Sequence, residues 1–74
     1  MNTELQARIA AATTEHNRTK KLLARARKNL RILSHAAKEG HPKATIEVLA
    51  ASAIKVAQLE DMENAARQQV LYPV

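Results

Sequence analysis

One string, Glu39-Gly40-His41-Pro42, limits this chain to very few shapes. Gly40 is the only glycine, and a glycine can take the left-handed conformation that closes a helix. Pro42 has a fixed φ and no N–H, which suits the first turn of a new helix. Stop and start signals this close predict two antiparallel helices, one over about 3–39 and one over about 42–71, joined at 40–41. The apolar periodicity agrees. Leu5, Ile9, Ala12, His16, Thr19, Leu23, Ala26, Leu30, Leu33 and Ala37 are spaced alternately four and three apart, a heptad seam along one helix face. A second seam runs Thr45, Leu49, Ser52, Val56, Leu59, Glu63, Ala66, Val70. Folding at His41 sets Leu33 against Leu49, Ala26 against Val56, Leu23 against Leu59, and Thr19 against Glu63. The numbers of each facing pair sum to 82, so the turn and both seams specify one register. The fold expected is all-α: an antiparallel two-helix hairpin that pairs further into a helical bundle.

Further pairing is expected because the seams are thin. Hydrophobic residues are 46% of the 74, but many are Ala and only Tyr72 is aromatic, so a hairpin alone buries little. A second apolar stripe, Ile46, Ala50, Ala53, Ile54 and Ala57, turns away from the seam of the second leg. Its alanines allow close approach of another helix, which makes it the candidate protein-binding face, for a second copy or a helical partner. Ile32 points away from the first seam and is a candidate for a similar contact. The segment Thr13-Thr14-Glu15-His16-Asn17 holds mediocre helix formers and is where the first helix is expected to break if it breaks at all. Thr3-Glu4-Leu5-Gln6 has the form of a capping box, and Pro73 disfavours helix at Tyr72.

Charge is uneven. Residues 1–39 carry nine basic and three acidic side chains, net +6, and residues 41–74 carry three and four, net −1. Arg18, Lys20, Lys21, Arg25, Arg27, Lys28 and Arg31 fall within fourteen residues that contain no acid. On a helix they spread over the side opposite Leu23, Ala26 and Leu30. Read functionally, they contact nucleic-acid phosphates; read simply, they are a solvated face or meet an acidic protein. Aromatic residues that would stack on bases are missing from this stretch.

Sites of chemistry are not evident. Cysteine is absent, which fits a reducing, cytoplasmic setting. Ser34 and Ser52 have no base and acid at suitable spacing, and Glu60-Asp61-Met62-Glu63 lacks the cleft that a carboxylate pair requires. His16, His35 and His41 do not converge with enough other ligands to bind a metal. The reading is therefore non-enzymatic, without cofactor or metal. The N-terminus lacks the blocks of a signal peptide, and the apolar stretch at 44–59 is too short and too charged to span a membrane.

One polar interruption of the seams stands out. The register puts Thr19 opposite Glu63 and His16 one layer away. A seam carboxylate without partners is costly, and His16 and Thr19 can both donate to it. His16, Thr19 and Glu63 are thus expected to form a cluster that fixes register. The simpler alternative pairs Glu63 with Arg67 and leaves His16 in water.

With Glu39-Gly40-His41-Pro42 and the amphipathic helix after it, the chain resembles the small helical-hairpin co-chaperones that help hold needle subunits in type III secretion systems. The resemblance covers residues 20–67 and implies a helical partner-binding module. Thr45 and Ile46 stand where that family tends to carry an aromatic, and Gln58-Leu59-Glu60 is about a turn out of step with its Ala-Leu-Glu run. No functional residue is carried over from it. In shape and charge the chain is also similar to the dimeric hairpins that bind RNA loops in plasmid copy control, which implies a nucleic-acid-binding regulator as the alternative function.

Overall fold

The computed structural model describes residues 3–72 of the chain. Helix α1 spans Thr3–Lys38 and helix α2 spans Ile46–Leu71. They pack antiparallel into a rod of 60 × 14 × 13 Å. Every residue with an intermediate or buried side chain between Ile9 and Leu30 lies on the expected α1 seam, apart from Leu22. On α2 the positions from Leu49 to Val70 that are not exposed are all seam positions.

Leu23, Ala26, Val56 and Leu59 form the core, with Leu22 and Leu30 packed against it. Burying a leucine is worth about 2 kcal/mol, so Leu23 and Leu59 dominate this small centre. The core continues along the rod through Thr19, Glu63 and Ala66. Alanine facing valine, as Ala26 faces Val56, lets the two backbones lie close without a bulky interior.

α1 runs unbroken through Thr13 and Thr14. Their hydroxyls donate to the Ile9 and Ala10 carbonyls at 2.8 and 3.0 Å. Each weak helix former thereby satisfies its own polar group on the helix it occupies. Thr3 is itself helical and not the expected cap ahead of the helix. Pro73 lies outside the described residues.

The turn corrects the expected start of the second helix. α1 ends in a Schellman motif: His41 N–H donates to Ala36 O at 2.9 Å and Gly40 N–H to Ala37 O at 3.0 Å. Gly40 has φ 77, the only positive value among the described residues, as this closure requires. Pro42 does not start α2. It sits in a turn closed by Ala44 N–H donating to His41 O at 3.1 Å, a use of its fixed φ that competes with helix initiation. Helix α2 begins four residues later. Thr45 is extended (φ −81, ψ 165), and its hydroxyl accepts from Val48 N–H, the favoured N-cap geometry. Thr45 is exposed, so it leaves the seam that it was expected to begin, and the facing layers start at Leu33 and Leu49.

The helices differ in length, 36 residues against 26. With facing numbers summing to 82, Leu71 at the end of α2 lies level with Ala11, and the first two turns of α1 extend past it.

Candidate interaction surfaces

The polar interruption of the seam is a connected group across the two helices. His16 Nε2 lies 2.8 Å from Glu63 Oε1, and the two side chains are largely buried, at 18% and 10% exposure. A carboxylate only accepts, so the hydrogen lies on Nε2 of His16. Arg67, one turn along α2, donates from Nη2 to both Glu63 oxygens at 2.8 and 2.7 Å. Arg67 first, and His16 after it, hold the Glu63 carboxyl below the usual glutamate range, against the opposing pull of burial.

Two sequence expectations thus coexist: Glu63 takes Arg67 and keeps His16. Thr19 departs from expectation. It is the most buried of the described residues, 1% exposed, but its hydroxyl donates to the Glu15 carbonyl at 2.8 Å and not to Glu63. Its hydrogen is used within α1, and its role at the layer is that of a small, satisfied packing residue. The i−4 carbonyl bond is an ordinary option for a helical threonine, and it explains why opposition in register was not sufficient to infer a bond.

The outer face of α2 carries the second apolar stripe. Ile46 is 82% exposed and Ile54 58% exposed, and Ala50, Ala53 and Ala57 are exposed with them. Nothing in the hairpin covers this face. Ile32, also expected to point outward, is 56% exposed.

The seven basic residues of α1 do not form one patch. Arg18 is held by Glu15 at 2.6 and 3.1 Å, which lowers the Glu15 carboxyl and raises the Arg18 guanidinium. Arg27 lies 4.0 Å from Glu60 of α2. Lys20 and Arg27 line one flank of the hairpin with Glu63 and Arg67, and Arg25 lines the other with Lys55. Fourteen residues of helix turn through nearly four revolutions, so a basic run in the sequence becomes a collar. The run is compact along the chain but dispersed around the helix axis.

The remaining histidines belong to the turn. His41 Nδ1 accepts from Lys43 N–H at 3.2 Å, and exposed His35 lies 3.9 Å from Glu39. Among the described residues, no three His, Cys, Asp or Glu side chains gather to hold a metal ion, and no helix is long and apolar enough to cross a membrane.

No family model matches the chain, and neither does any curated protein or any solved structure.

Proposed function

We propose that the chain is a non-enzymatic helical adaptor or co-chaperone module whose primary contact is a second copy of itself, made through the outer face of α2. The observation that supports this most is the exposure of Ile46 and Ile54, one above the other on a face floored by alanine. The spacing is also self-complementary. Ile46, Ala50 and Ile54 are each four apart and read the same in both directions. Two antiparallel α2 helices crossing at Ala50 lay Ile46 of each against Ile54 of the other, with the alanines allowing close approach. The thin core of the single hairpin, which buries only Val56, Leu59, Glu63 and Ala66 of α2, leaves room for this further burial.

Sedimentation equilibrium tests the reading. The wild-type chain is expected to sediment as a dimer or larger. Ile46→Asp places a charge where no partner can satisfy it and is expected to give a folded or concentration-dependent monomer. A wild-type chain that stays monomeric at its solubility limit defeats self-association.

The alternative function is a dimeric nucleic-acid-binding regulator using α1. The observation in its favour is that Lys20, Lys21, Arg25, Lys28 and Arg31 are exposed and have no carboxylate within ion-pair distance among the described residues. Against it stands their distribution around the helix, which lets a nucleic acid on one side reach only some of them.

A further inference from the structure

One flank of the hairpin is a shallow apolar groove between the helices, separate from the outer face of α2. It consists of two adjoining depressions of about 360 and 420 Å³. Leu22 of α1 lies toward one end, and Ile32 with Val48 at the other. Ile32 and Val48 are half-exposed, at 56% and 39%. Ten residues of α1 separate Leu22 from Ile32, about 15 Å at 1.5 Å per residue. That is the length of about three turns of a docked helix.

Two cations sit between these apolar ends. Arg25 and Lys55 both line the groove. Each immediately precedes a member of the facing core pair Ala26 and Val56, so the two belong to one layer of the hairpin. Both are exposed, and neither has a carboxylate within ion-pair distance among the described residues. The opposite flank is built the other way, with Arg27 of α1 facing Glu60 of α2 at 4.0 Å. A like-charged pair across an interhelical layer repels, and a single acidic residue there would have stabilised the hairpin instead. The groove therefore lacks a negative charge that something else can supply.

We propose that this groove binds an amphipathic helix of an acidic partner protein, whose apolar stripe fills the space along Leu22, Ile32 and Val48 and whose Asp or Glu side chains meet Arg25 and Lys55. Charge complementarity selects this occupant. A second copy of the chain is net +5; its α1 brings like charge to a cationic groove, and Glu60 and Glu63 of its α2 are already held by Arg27, His16 and Arg67. A lipid surface is flat, whereas a concave strip between two helices takes a ridge of side chains. The proposal does not depend on self-association through Ile46 and Ile54.

Two synthetic peptides are the probes: an amphipathic helical peptide with a leucine stripe flanked by glutamates, and the same peptide with lysine for each glutamate. They are titrated into the isotope-labelled full chain, with phosphatidylserine vesicles and a short RNA in parallel. The glutamate peptide is expected to bind, to shift the backbone signals of Leu22, Asn29, Ile32 and Val48, and to weaken as salt rises. The double variant Arg25→Glu/Lys55→Glu is expected to weaken that peptide by about tenfold or more and to take the lysine peptide instead. Lys55→Glu alone is expected to raise the melting temperature, because it turns the repelling pair into an ion pair, while it weakens the glutamate peptide; a drop in binding is thereby distinguished from a failure to fold. Equal binding of both peptides overturns the proposal. So do shifts confined to Ile46, Ala50 and Ile54, a melting temperature lowered by Lys55→Glu, or binding to the vesicles or RNA alone. Repeating the titration with Ile46→Asp separates the two surfaces: that variant loses self-association and keeps the peptide.

Discussion

His16 and Glu63, separated by 47 positions in sequence, meet across the hairpin at 2.8 Å. Arg67 closes the group from the solvent side, half-exposed where the other two are largely buried. Sliding one helix by a turn so that His16 faces Val70 instead of Ala66 would carry Glu63 about 5.4 Å further from the ring and break the bond. The group thus opposes a slide in that direction, which two evenly spaced seams would otherwise permit.

Acid sensitivity follows from Glu63. Its carboxyl titrates below its unfolded value, near 4.3, because Arg67 and then His16 favour the charged form. A depressed carboxyl contributes stability that is present above the unfolded pKa and is lost as pH falls through the folded one. Thermal melts by circular dichroism between neutral pH and pH 3 should show this loss, and Glu63→Gln should make it shallower. Part of the slope should remain, since Arg18 also depresses the carboxyl of Glu15. An unchanged acid limb in Glu63→Gln would mean that the group does not contribute to stability.

Replacing His16 with Leu separates stability from register. The variant adds apolar volume at a largely buried seam position and leaves the Arg67 bonds to Glu63 in place. Melting temperature at neutral pH is expected to hold or rise, while backbone amide signals around Ala12, Ala66 and Val70 broaden or double. Sharp, single signals would show that packing alone sets the register.

The hairpin was legible because two independent patterns agreed: a stop signal at Gly40 and two seams in phase around it. Leu23, Ala26, Val56 and Leu59 are buried as that phase requires. The start of α2 was not legible from Pro42 alone. Proline fits both the second position of a turn and the first turn of a helix, and Thr45 decided between them by capping Val48. The His16–Glu63 contact was readable from register, whereas the bond that Thr19 makes was not, because a threonine hydroxyl can always turn to its own helix. The basic run was legible as spread over the side of α1 opposite Leu23, Ala26 and Leu30; that Lys20 and Arg27 line one flank of the hairpin and Arg25 the other was not. The pairing of Arg25 with Lys55 across a layer becomes visible only once both legs are placed.

Gly40 is expected to tolerate only a small set of replacements. A Cβ there meets no atom within 4 Å, so the cost of Gly40→Ala is the left-handed backbone alone, about 1 kcal/mol. Asn, which enters this conformation more readily, should cost less than Ala. Urea denaturation of the two variants checks the order. Equal midpoints for Ala and wild type would show that the Schellman closure at His41 and Ala36 can be made without a left-handed residue.

Salt dependence distinguishes the two functional classes. Charges dispersed around α1 are expected to give no measurable RNA or DNA binding at physiological salt, by fluorescence anisotropy with short labelled duplexes and hairpins. Should binding appear, the slope of log affinity against log salt reports how many phosphates the protein engages. Replacing Lys21, Arg25 and Lys28 with Gln should then lower that slope by about one per phosphate no longer neutralised. That result would favour the nucleic-acid reading over the adaptor.

The two turns of α1 that run past the end of α2 make one helix into two thermodynamic objects. Near Leu23 an amide can exchange its proton only when the hairpin opens as a whole, whereas near Leu5, itself 36% exposed, it can exchange by fraying. Protection factors should therefore climb steadily from Leu5 toward Thr19 along a single uninterrupted helix. A protease given limited time should shorten the chain from that end while the remaining hairpin stays folded.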